Sequence, residues 1–101
     1  MAAKGRRFWL SIDIGFLSDH ERLYEWLDRH EAKECGDNVA TFVCEQSRNE
    51  IVQELIGLVD KECRLYLIDK TAGGRFIIGK RKRRAAWDGY AKVTADTDDP
   101  A

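Results

Sequence analysis

The chain has 101 residues, enough for one domain with a modest core. Apolar residues make up 44% and charged residues 35%, a globular composition rather than a disordered one. Lys and Arg number 17 against 18 Asp and Glu, so the formal net charge of −1 excludes a polycation and leaves local patches, each felt over roughly 8–10 Å, to attract phosphate.

The first segment, MAAKGRR, has no apolar run behind it, and no stretch approaches the length of a membrane span. The expectation is a cytoplasmic protein with no membrane partner. Residues 7–15, RFWLSIDIG, alternate. Phe8, Leu10, Ile12 and Ile14 fall on one face and Trp9, Ser11 and Asp13 on the other, which predicts a central strand with one apolar and one mixed side. Residues 18–30, SDHERLYEWLDRH, open on a capping box of Ser18 and Glu21, so a helix is predicted from there. Leu23, Trp26, Leu27 and His30 form its buried stripe, with His30 a packed or C-terminal histidine.

Residues 32–45 hold a Gly-Asp-Asn turn between two β-prone runs and predict a hairpin, with strands at 32–35 and 39–45. Residues 47–60 repeat the capping box as Ser47 and Glu50, and Ile51, Val52, Leu55, Ile56, Leu58 and Val59 supply an apolar face. Gly57 weakens such a helix by about 1 kcal/mol relative to alanine, which points to close packing against the sheet. Residues 63–70 and 75–82 read as strands joined through the glycine-rich turn TAGG.

The predicted fold class is α+β. It is a ferredoxin-like β-α-β-β-α-β antiparallel sheet with an added C-terminal strand and two helices on one face. A single domain covers residues 1–93, and residues 94–101 form a disordered acidic tail with Asp96, Asp98 and Asp99. Cys35, Cys44 and Cys63 are odd in number and contain no C-x-x-C, so they are read as buried thiols rather than disulfides or zinc ligands.

Two surfaces carry candidate chemistry. With Leu65 and Leu67 facing the helices, Arg64, Tyr66 and Ile68 join Trp9, Ser11 and Asp13 on the open side of the sheet. Those aromatics suit a homodimer face, an RNA platform with bases stacked on Trp9 and Tyr66 beside Arg64, or a docking face for another protein. The second surface is basic: Arg75 with the run Lys80, Arg81, Lys82, Arg83 and Arg84. It is either a phosphate-binding segment or an edge strand that uses charge to block pairing, and in a strand the cations alternate between two faces. Trp87 and Tyr90 either anchor this segment on the domain or stack on bases. The acidic tail could also fold back onto the cations.

Among the acids, Asp13 and Asp69 end strands and Asp19 begins the first helix. Carboxylates alone can hold Mg²⁺, and one Asp repeated across a dimer can assemble a phosphodiesterase site. No G-x-x-x-x-G-K, no Ser/His/Asp order and no H-x-E is present, so whether the protein is an enzyme stays open.

The stretch WLSIDIGFLSDHERLYEWL resembles the small CRISPR-associated adaptation endoribonucleases and the related VapD-type toxins, in element order over residues 7–69. The resemblance implies a ferredoxin-like homodimer, with Asp13 as catalytic residue and Mg²⁺ ligand at the dimer interface and Asp19 and Arg22 at the matching positions on the first helix. The functional expectation is a small nucleic-acid-associated protein, binding RNA or DNA, of the defence or toxin–antitoxin kind. The alternative is a non-catalytic interaction module, such as a phage-encoded inhibitor or antitoxin, that docks a protein partner on its open sheet.

Overall fold

The computed structural model describes residues 5–14, 20–60, 62–81 and 84–91. Asp19, Lys82, Arg83 and the acidic tail lie outside the described residues. Strand β1 spans Arg6–Asp13, and its alternation buries Phe8, Leu10 and Ile12. Helix α1 spans Glu21–Arg29, strand β2 Lys33–Gly36, strand β3 Val39–Cys44, helix α2 Arg48–Ile56, strand β4 Arg64–Asp69 and strand β5 Gly73–Ile78. The fold is α+β, with a five-stranded sheet in the order β2-β3-β1-β4-β5 and every neighbouring pair antiparallel.

The registers explain the core. Phe8 stands opposite Phe42 and Asp69, Leu10 opposite Ala40 and Leu67, and Ile12 opposite Leu65. These strand residues share one apolar cluster with Leu23 and Trp26 of α1 and Ile51, Val52 and Leu55 of α2. Each fully buried Leu, Ile or Phe contributes about 1.5–3 kcal/mol. Trp26 sits edge-on to Phe42, with ring centroids 5.2 Å apart, so α1 is keyed to β3 by shape as well as area. Because the helical residues share a cluster with one set of alternating strand positions, the other side of the sheet lacks helical cover among the described residues.

The helix ends differ from each other. Ser47 caps α2 in a complete capping box: its side chain accepts from the Glu50 N–H, and the Glu50 carboxylate accepts from the Ser47 N–H. Ser18, the predicted cap of the first helix, lies outside the described residues. His20 is the N-cap of α1 and makes no side-chain capping bond, while its ring packs on Tyr24 one turn later at 4.6 Å. His30 closes α1 and stacks on Trp26 at 3.8 Å, a packed C-terminal histidine. Helix α2 stops at Ile56, so Leu58 and Val59 reach the core from the turn beyond it. Gly57 is the C-cap of α2 and is exposed. A Cβ there would meet nothing nearer than the Glu54 carbonyl at 3.8 Å, so this glycine does not serve close packing against the sheet.

Three further expectations are corrected. Cys44 and Cys63 are buried but Cys35, on edge strand β2, is exposed; all three are free. Strand β5 ends at Ile78 rather than at 82, so Lys80 and Arg81 follow the strand and do not guard its edge. Trp87 and Tyr90 are 75% and 71% exposed and do not anchor their segment on the domain. No helix among the described residues is long and apolar enough to cross a membrane.

Candidate functional site

Strand alternation turns Trp9, Ser11 and Asp13 away from the core, and the β1–β4 register sets them opposite Ile68, Tyr66 and Arg64. The two strands that carry the predicted open face are therefore direct neighbours. Beyond β4, Tyr66 stands opposite Phe76 of β5, and the two rings meet at 4.8 Å with a 64° tilt. Gly74 makes room for this pair: a Cβ at position 74 would lie 2.5 Å from the Tyr66 ring, so the tyrosine lies across the bare backbone.

The chain then returns to the same face. The register shift between Leu65 and Tyr66 places one extra residue in β5, a bulge that bends the strand at its end. Gly79 follows with φ +87°, and a Cβ there would lie 2.9 Å from the Arg64 side chain. Only glycine combines that backbone conformation with that approach. The turn brings Arg81 back over Phe76, its guanidinium carbon 5.8 Å from the ring centroid, a cation–π contact. Ser11, Asp13, Arg64, Tyr66, Phe76 and Arg81 line a cavity of about 310 Å³.

Asp13 is engaged within this site. Its Oδ2 accepts from Arg64 Nη2 at 2.8 Å, and both side chains are partly exposed, so the pair positions the two groups more than it stabilises the fold. Among the described residues no three Asp, Glu, His or Cys groups cluster in a metal-binding arrangement. One carboxylate already paired with an arginine is not, within a single chain, a donor set for Mg²⁺. Arg22 lies elsewhere: its Nη2 donates to the Gly57 carbonyl at 3.0 Å and ties α1 to the end of α2.

The remaining candidates separate. Arg75 stands opposite Leu67, whose side chain is in the core, so it belongs to the side of β5 opposite Phe76 and does not join Arg81. Lys80 and Arg84 are exposed and do not line the cavity. Trp87 and Tyr90 sit in a separate turn, in which Asp88 accepts from the Ala85 N–H at 2.7 Å. Asp69 is structural. Its Oδ1 accepts from the Thr71 and Ala72 N–H groups at 2.8 and 2.6 Å and builds the β4–β5 turn, while Arg48 Nε lies 3.8 Å from its buried Oδ2. The Ala72 N–H in particular, then Thr71 and Arg48, hold the Asp69 carboxyl below its ordinary range against the cost of burial.

On the helical side, Trp26 Nε1 donates to Glu54 at 2.8 Å and Gln46 donates to the other carboxylate oxygen. The indole bond, then Gln46, lowers the Glu54 pKa. This network joins the two helices to the β3–α2 connection and faces away from the cavity.

Sequence reasoning named Trp9, Asp13, Arg64, Tyr66 and Arg81 but missed Phe76, Gly74 and Gly79. The signal was present in GGRFIIGKRK: one glycine two residues before an aromatic, another directly before the cations. No protein-family model, curated protein or solved structure matches the chain.

Proposed function

We propose that the protein binds nucleic acid on the open face of its sheet. The observation that carries this reading is the return of the basic segment onto the aromatic face, with Arg81 over Phe76 beside Tyr66 and Arg64. Aromatic faces flanked by arginines suit a strand whose bases stack and whose phosphates pair with cations, and they need no high net charge. Arg7, exposed on the same side of β1, donates to Thr41 and adds a cation to this surface. The ferredoxin-like description belongs to the same proposal. The order β2-β3-β1-β4 with β1 central supports it, and β5 is the added strand. The resemblance of residues 9–27 to adaptation endoribonucleases and VapD-type toxins adds a defence or toxin–antitoxin setting. No cleavage step at Asp13 is part of the proposal, since its carboxylate is committed to Arg64.

The test is a titration of the intact protein against labelled single-stranded RNA and duplex DNA at about 50 and 200 mM salt. The expected result is affinity that falls steeply with salt, with a slope that drops by about one unit for each phosphate contact removed in Arg81→Ala and Arg84→Ala. Absence of binding at the lower salt to either probe would overturn the reading.

One observation favours a second reading, a protein-interaction face. At the other end of the open side, Ile68, 36% exposed, stands opposite Trp9, and Val43, 48% exposed, stands opposite Arg7. An apolar strip of this kind suits a second copy of the chain or another protein. Sedimentation of wild type and Ile68→Lys separates the two: a dimer that the lysine dissociates, combined with no nucleic-acid binding, is the signature of the interaction module.

A further inference from the structure

We infer that the cavity between β1, β4 and β5 is a pocket for one unstacked nucleotide of a single strand, an inference that rests on the nucleic-acid reading and assigns it a substrate class. The base lies on the Tyr66–Phe76 pair and its phosphate meets Arg81. Three independent features converge on this pocket. Gly74 leaves bare backbone on which the Tyr66 ring lies, exposing a ring surface that a side chain at 74 would displace. Gly79, with its positive φ and its contact on Arg64, turns the chain so that Arg81 lies over the second ring. Asp13 holds the Arg64 guanidinium at the pocket wall through the 2.8 Å bond, so a second cation flanks the rings.

The charge pattern favours an anionic ligand with a flat apolar part. Two arginines and one carboxylate line the cavity, with one serine hydroxyl between them. The two rings are tilted by 64°, so they offer a corner rather than a slot. A corner accepts a base that has left its stack, and it rejects a duplex, whose bases are already paired and stacked. Stacking of this kind tolerates any base because every base has a π face.

The experiment uses the full chain with a labelled oligouridylate of about eight nucleotides and a matched RNA duplex. Two variants, Tyr66→Leu and Gly74→Ala, change the platform without touching a charge, and far-UV circular dichroism checks that each folds. The inference expects the single strand to bind more tightly than the duplex and to lose about 5- to 150-fold in affinity in each variant, with the salt slope unchanged. Amide shifts of the wild type with the oligouridylate should centre on Ser11, Arg64, Tyr66 and Phe76, a readout that stands even if Tyr66→Leu does not fold. Equal binding of both probes, unaffected by Gly74→Ala and with shifts confined to residues around Lys80 and Arg84, would overturn the pocket and leave the nucleic-acid reading intact. No binding of either probe at low salt would overturn both.

Discussion

Asp69 shows how one side chain can organise a turn. Its Oδ1 accepts two consecutive backbone N–H groups, and its buried Oδ2 has Arg48 as its nearest cation. Asp69→Ala leaves two turn amides without their acceptor and should cost about 1–3 kcal/mol, read from urea midpoints. Because the folded carboxyl titrates below the unfolded value of about 3.9, its contribution is fully present above that value and is lost as pH falls through the folded pKa. The stability gap between wild type and Asp69→Asn should therefore be widest near neutral pH and narrow progressively in acid; a gap constant down to about pH 2 would contradict this account. Gly79 is the other residue whose role is local and strict. At φ +87° against the Arg64 side chain, Gly79→Ala should lower stability by about 1 kcal/mol or more and weaken binding of a single strand by displacing Arg81, whereas Gly57→Ala, at an ordinary φ with no close neighbour, should do neither.

The two helices solve their N-termini in different ways. Helix α2 has both halves of a capping box, so Ser47→Ala should cost about 1 kcal/mol, within a range of about 0.5–2, measured by thermal or urea unfolding. The same substitution at His20 should cost less in capping, since that side chain makes no capping bond and contributes through its contact with Tyr24. The two motifs look alike in the sequence, each a serine three residues before a glutamate. Among the described residues only the second is seen as a closed box, and α1 starts at Glu21 with His20 at its N-cap. At the C-terminal side, β5 begins at Gly73, two residues earlier than the β-prone pattern implied. A sheet ladder tolerates glycine when a neighbouring aromatic covers it, and Tyr66 covers Gly74.

Across the whole molecule, the apolar core and the proposed binding face lie on opposite sides of one sheet. Among the described residues, neither the core cluster nor the side chains packed on it extend beyond Ile77, and the described cations after Gly79 contribute nothing to it. A chain ending at Gly79 should keep a cooperative unfolding transition with a melting temperature close to wild type, while losing most of its affinity for a single strand. Loss of the transition instead would mean that the basic segment is structural. The same division makes a net charge near zero compatible with the proposed nucleic-acid binding. Three arginines, Arg7, Arg64 and Arg81, stand on the open side, and a patch acts over its own screening length whatever the sum over the chain.

Period-two alternation in β1 and β4 and the capping box at Ser47 were legible from the sequence, because they are local. They depend on which residues sit two or three apart, and they sufficed for an α+β chain with Trp9, Asp13, Arg64 and Tyr66 turned away from the core. The extent of the elements was less legible, since helix and strand ends are set by the contacts that receive them, as Leu58 and Val59 show by packing from outside α2. Only the tertiary structure decided that β1 and β4 are neighbours, that Asp13 is paired with Arg64, and that Arg75 and Arg81 lie on opposite sides of β5. These are facts of register and of a single bulge, and a one-residue shift in register moves every side chain to the other face without changing the composition.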